Sequence, residues 1–232
     1  MTALYEVSIV IPVVREDAAL VELLRQIRAW PRKPGEVIVA DGATSEHTRA
    51  HCYRNDATWV ASVPGRATQL MKGAGAAKGS ILWFLHADST PDPDALDAII
   101  ASVDSGALGG CFRFRFAGKR SLVKTLLEWS NRLRCRWGGV PYGEQGLYVS
   151  REAFDVCGGF APMPMFEEVP LIRTLCRQGR FDRLEMPLLI SDVPWQREGW
   201  LLRTLKRRAL ALAYGLGISP ARLARLTSGR AQ

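Results

Sequence analysis

The chain has 232 residues, 47% of them hydrophobic and 23% charged, with a net charge of +8. That supplies enough apolar surface for one sizeable α/β core. It excludes wholesale disorder and, since no apolar stretch reaches the roughly 18 residues of a spanning helix, a multi-span membrane protein.

The opening MTALYEVSIVIP has no basic region ahead of its apolar run, so it reads as a strand and not as a signal peptide. VSIVIPVV, residues 7–14, is continuously apolar and β-branched, the pattern of a strand buried on both faces of a parallel sheet, with Pro12 expected to end regular pairing. Asp17 can cap a helix whose Leu20, Leu23, Leu24 and Ile27 recur at helical spacing. EVIVADG is a second strand running into a glycine turn, and residues 58–62 form a third. A helix over 67–77 and a fourth strand over 80–85 follow, then a helix from Asp94 to about Val103, with Asp92 or Asp94 as its cap. GGCFRFRFAG alternates strictly, Phe112, Phe114 and Phe116 against Arg113 and Arg115, which predicts an edge or half-exposed strand antiparallel to its neighbours. Beyond it lie a helix over 122–133, the glycine-rich GGVPYGEQG, a short strand LYVS and a helix over 151–156. Strand alternating with helix at this rhythm predicts a Rossmann-like, mostly parallel sheet with helices on both faces.

In such a sheet ligands bind beyond the carboxyl ends of the strands. Glu16, Asp41 and Asp88 occupy three such ends. Asp88 stands out, because it follows directly on ILWFLHA and precedes STPDPDAL, whose own acids can cap the next helix. A carboxylate placed there suits Mg²⁺ or Mn²⁺ shared with phosphate oxygens, and Mn²⁺ would also accept His86. Neither G-x-G-x-x-G nor G-x-x-x-x-G-K-[ST] is present, so the phosphates need another holder. By itself, the pair Glu167-Glu168 reads more readily as an exposed helix first turn, where acids meet the positive end of the dipole, than as a catalytic pair. The five cysteines (Cys52, Cys111, Cys135, Cys157, Cys176) show no C-x-x-C pair; they fit reduced thiols in the cytoplasm, and Cys111 and Cys157 read as small core residues.

VSIVIPVVRE, EVIVADGATSEHT, PGRATQLMKGAGAAKGSILWFLHADS, GGCFRFRF, PYGEQGLYVSREAFDVCGGF and FEEVPLIRTLCRQGR together resemble the family 2 glycosyltransferases of the GT-A type. Within them the chain is similar to the small bacterial subgroup labelled radical-SAM/selenodomain-associated transferases. The resemblance runs through residues 6–220. It implies a GT-A domain over 1–199 that moves a sugar from a nucleotide-diphosphate sugar, UDP-linked, to an acceptor nucleophile with inversion. Pro12, Glu16, Asp41 and Arg66 would hold the nucleoside, Asp41 through the base. His86-Ala87-Asp88 stands where the family carries D-x-D, so Asp88, with His86, would bind Mn²⁺ or Mg²⁺ on the diphosphate. Glu168 would be the general base, with Glu144, Gln145 and Glu167 on the acceptor or donor-sugar side. The chain departs from the family at His86, which replaces an Asp and so removes a charge, to weaken metal binding or to favour Mn²⁺, at Arg15, where Asn is common, and at Glu168, which replaces Asp and reaches one methylene farther. The alternative is a catalytically degenerate nucleotide-sugar binding protein.

From residue 200 the chain turns Leu- and Arg-rich. Apolar residues 201, 202, 205, 209, 212, 213 and 216 trace one helical face, with Arg203, Lys206, Arg207 and Arg208 around the rest. Two placements fit this tail, 200–232: packing on the domain with its basic side solvated, or peripheral docking at the inner face of an anionic membrane that carries a lipid-linked acceptor. A small-molecule acceptor is the other expectation. The arginines carry no stacking motif or DNA-reading helix, so no nucleic-acid partner is expected.

Overall fold

The computed structural model describes residues 6–14, 17–136, 139–141 and 143–228. Expectations placed on Arg15 and Glu16, and on the Asp17 side chain as a cap, lie outside what it describes. Strands β1 (Val7–Val13), β2 (Glu36–Asp41), β3 (Thr58–Ala61) and β4 (Ile81–Phe84) alternate with helices α1 (Asp17–Ala29), α2 (Glu46–Arg54) and α3 (Arg66–Ala76). After β4 come a two-residue β5 (Ser89–Thr90), α4 (Ala95–Asp104), β6 (Gly109–Phe116), α5 (Leu122–Arg136), β7 (Tyr148–Ser150), α6 (Arg151–Val156) and α7 (Glu168–Gln178). The chain continues through β8 (Phe181–Ile190), α8 (Val193–Glu198), α9 (Trp200–Gly215) and α10 (Pro220–Ser228). The strands form one sheet in the order β3-β2-β1-β4-β7-β6-β8-β5. β1 is parallel to β2 and β4, and β2 to β3, while β7 runs antiparallel to both β4 and β6.

Alternation along β1 divides the core between the two faces of the sheet. Ile9, Ile11 and Val13 pack with Leu20, Leu23, Leu24 and Ile27 of α1 and Leu96 and Ile99 of α4. Val10 packs on the other face with Leu70 and Ala74 of α3, Phe154 of α6 and Leu171 and Leu175 of α7. Gly73 sets α3 close to the sheet: a Cβ there would collide with the Val10 side chain. Helix α3 thereby carries Arg66, at its first turn, to the carboxyl end of β4.

Three local expectations change. Pro12 does not end pairing, because β1 continues against β2 with Pro12 opposite Ala40 and Val13 opposite Asp41. Val13 turns its carbonyl to β2 and Val10 to β4. Alternation therefore points the nitrogen of Pro12 to the β4 side, where pairing has stopped at Phe84 and no donor is needed. Second, β6 is not an edge strand: it is antiparallel to β7 but parallel to β8, which covers its other side. Arg113 and Arg115 are nevertheless half-exposed and the three phenylalanines buried. Third, Asp94 occupies the α4 N-cap without a side-chain bond, and Asp92 accepts the Asp94 N–H at 3.0 Å instead.

Candidate active site

The corner His86-Ala87-Asp88 exists because β4 stops abruptly. Leu85 N–H still bonds the Val10 carbonyl, and the chain then turns, Ser89 N–H donating to the His86 carbonyl at 3.1 Å, to enter β5 on the far side of the sheet. The four residues between β4 and β5, 85–88, thereby place His86 and Asp88 beyond the carboxyl end of β4. A cleft of about 610 Å³ opens there, lined by Ala18 and Ala19 of α1, His86, Asp88, Glu144, Trp195, Arg197 and Arg203. A second, of about 370 Å³, is lined by Arg66, His86, Glu144, Phe166, Glu167, Glu168, Arg203, Lys206 and Arg207. The two share His86, Glu144 and Arg203. The two clefts adjoin at these residues, with Asp88 lining one and Glu168 the other.

Glu167 and Glu168, at the start of α7, are only 3% and 7% exposed, which excludes a solvated first turn. Arg66 meets Glu167 through Nε at 2.5 Å and His86 through Nη1. It thereby ties the end of β4 to the start of α7. Glu168 Oε1 accepts the Gly143 N–H at 3.0 Å. Burial, and then the neighbouring Glu167 charge, push the Glu168 carboxyl above its ordinary range, with Arg66 and the Gly143 amide opposing. Burial, Arg66 and Arg207 hold His86 well below the usual imidazole range, so it is neutral. Burial and Glu144 raise Asp88.

Removing the Arg66 guanidinium, as in Arg66→Met, leaves Glu167 buried without its cation. The expected loss is roughly 2–3 kcal/mol, less than for a wholly buried pair because the arginine is partly exposed. Urea denaturation against wild type measures it.

The other expected positions lie apart from both clefts. Asp41 is fully buried, and its oxygens accept Ala43 N–H at 2.8 Å, Ser45 N–H at 2.7 Å and the Trp59 indole at 3.1 Å. It clamps the turn into α2. Gln145 is buried as well, donating to the Phe112 carbonyl at 3.1 Å beneath α5. Pro12 lies half-buried near the end of β1.

Sequence reasoning missed what α8 and α9 contribute. Arg207 pairs with Glu144 at 2.7 Å, Arg203 pairs with Glu198, and both guanidinium groups lie over the Trp195 ring. Tyr214 of α9 stacks on Phe166 at 4.8 Å. Phe166 adopts φ +62°, a left-handed conformation costly for an aromatic residue, immediately before the two glutamates. The helix thus turns Arg203 and Arg207 inward while Lys206 and Arg208 stay exposed, so only part of its basic side is solvated. Spacing showed a basic flank opposite the leucines; that Arg207 faces the protein depended on Glu144, 63 residues away in sequence, and no local pattern records that.

Among the described residues no group of three or more His, Cys, Asp or Glu is gathered as a metal site. Two carboxylates are nonetheless suited to a shared cation. Asp88 and Glu144 line the same cleft, the Glu144 charge raises Asp88, and Glu144 Oε2 is buried without a hydrogen-bond partner. A divalent cation would relieve both conditions.

The model of glycosyl transferase family 2 matches residues 8–166. The chain belongs to this family. No curated protein matches it significantly. Among solved structures, this family 2 glycosyltransferase resembles glucosyl-3-phosphoglycerate synthase from Mycobacterium tuberculosis. In that enzyme's complex with Mn²⁺, UDP-glucose and phosphoglyceric acid the TM-score is 0.66 at 22% identity, over 94% of this chain and 82% of that one. Its complex with Mn²⁺, UDP and glucosyl-3-phosphoglycerate gives 0.64 at 21%, with the same coverage. At such identities the likeness establishes the shared GT-A fold.

Proposed function

We propose that this family 2 glycosyltransferase moves a sugar from a nucleotide-diphosphate sugar, UDP-linked, to an acceptor hydroxyl or other nucleophile with inversion. The observation that carries the reading is the pair of adjoining clefts, one lined by Asp88 and the other by a buried Glu168 of raised proton affinity. The nucleotide and Mn²⁺ bound by the structural relative support the choice of donor.

Glu168 is the base. Fixed by the Gly143 amide and by the α7 backbone, it takes the acceptor's proton as the acceptor atom bonds to the anomeric carbon. The bond from that carbon to the diphosphate oxygen breaks on the opposite side, and the electron pair leaves with the nucleoside diphosphate. Mn²⁺, held by Asp88 and the unpaired oxygen of Glu144, would neutralise the charge gathering on that leaving group. His86, kept neutral, adds no charge there and leaves Arg66 attractive to the diphosphate. Asp41 acts on the nucleoside side by fixing the turn after β2.

Thermal-shift measurements with UDP- and GDP-sugars, with and without MnCl₂, test this reading. A ligand at a hundredfold its dissociation constant adds about 2.7 kcal/mol of stability. The expected result is stabilisation by a UDP-sugar that requires Mn²⁺, followed by turnover of that donor. Stabilisation without any hydrolysis or transfer would favour the degenerate binding protein. Indifference to all nucleotide sugars would remove both readings.

A further inference from the structure

The packing of α9 leaves a feature that the transferase reading does not use. Leu201, Leu202, Leu205, Leu212 and Leu216 are between 63% and 76% exposed. On an α-helical projection they fall within an arc of about 100°. The opposite side of the same helix carries Arg203, Arg207 and Tyr214 against the protein. The leucine arc is bordered by Arg208 on one side and Lys206 on the other, both exposed, and α10 adds exposed Arg222, Arg225 and Leu226 while anchoring through buried Leu223. From Gly199 to Ser228 the sequence holds six Lys or Arg and no Asp or Glu. No helix among the described residues is long and apolar enough to cross a membrane.

We infer that the outer face of α9 docks this protein on an anionic lipid bilayer. Leucines entering the headgroup boundary, with flanking cations reaching phosphate, are the arrangement of a helix lying in the interface plane. A second copy of the chain is a poorer occupant. A two-fold contact across α9 would set two basic, acid-free helices against each other, whereas anionic headgroups complement that charge. Docking would hold the cavity about one helix diameter, 10–12 Å, from the headgroups, because the inner side of α9 forms part of its wall. This inference stands apart from the transferase reading and does not depend on turnover.

The test is co-sedimentation of the full chain with phosphatidylcholine vesicles, with and without phosphatidylglycerol, for wild type and a Leu205→Glu, Leu212→Glu double variant. Both leucines are exposed and outside the cavity, so the variant should keep the wild-type melting midpoint. Wild type is expected to pellet with anionic vesicles and much less with neutral ones, and the double variant to lose at least about tenfold in binding. Wild type remaining in the supernatant with both vesicle types, or a variant that pellets equally, overturns the inference. So does analytical ultracentrifugation showing a wild-type dimer that the variant abolishes, with no vesicle binding by either.

Discussion

Glu168→Gln is expected to lower sugar transfer by about 10²–10⁴-fold, the usual worth of a positioned base, without lowering the melting midpoint at neutral pH. Burial and Glu167 hold the carboxyl above its ordinary range in the folded protein. The stability that a raised carboxyl contributes is fully present below its unfolded value and is lost as pH rises through the folded one. At neutral pH the ionised side chain therefore weighs against folding, and the amide removes that cost while still accepting the Gly143 N–H. Activity follows the opposite course: kcat/KM should climb as Glu168 ionises, on an acid limb displaced upward from that of an exposed glutamate. Glu168→Asp, which keeps the base one methylene short, should fall between. A purely structural Glu168 would lower the midpoint on substitution and leave the shape of the acid limb alone.

Asp88→Asn is expected to abolish the Mn²⁺ dependence of nucleotide binding and to lower transfer by roughly 10³-fold, since a cation on a leaving phosphoryl oxygen is worth several kcal/mol. The amide fills the same volume at the same corner, so β4, β5 and the turn between them have no reason to move. Titration calorimetry of UDP with and without MnCl₂, on wild type and variant, reads the binding half of the effect. Glu144→Gln should weaken metal dependence less, because Arg207 already neutralises one of its oxygens. Equal UDP affinity in wild type and Asp88→Asn with Mn²⁺ present would assign Asp88 to the scaffold.

The fold was legible where strands are buried on both faces and helices show one apolar side. Residues 7–14, 37–40 and 81–84 announce themselves through apolar, β-branched or aromatic runs, and α1 through its four leucine and isoleucine positions. Strand β8 was not legible: FDRLEMPLLI mixes Asp, Arg, Glu and Pro with its apolar residues and is only half-buried along most of its length. Missing it made β6 look like an edge. Pairing partners that are distant in sequence supply what alternation alone cannot.

The site divides in the same way. Asp88 could be singled out because a carboxylate directly after a buried strand lacks a capping task. Glu168 needed the family likeness, and its burial needed the structure, since an acid pair ahead of a helix reads more readily as a solvated first turn. Asp41 was drawn to the cleft by its place at the end of β2 and Gln145 by likeness; in the structure both have polar atoms engaged within the protein. Arg203 and Arg207 were read as solvent-facing because the acids that claim them belong to other segments.

The 86–88 corner is proposed to meet the donor's diphosphate through a divalent cation. Anomalous diffraction from crystals soaked with MnCl₂ and UDP tests it most directly. A manganese peak is expected within coordinating distance of the Asp88 carboxylate and of diphosphate oxygens. UDP bound with no peak beside Asp88, or a peak held elsewhere while Asp88 faces away from the nucleotide, would contradict it.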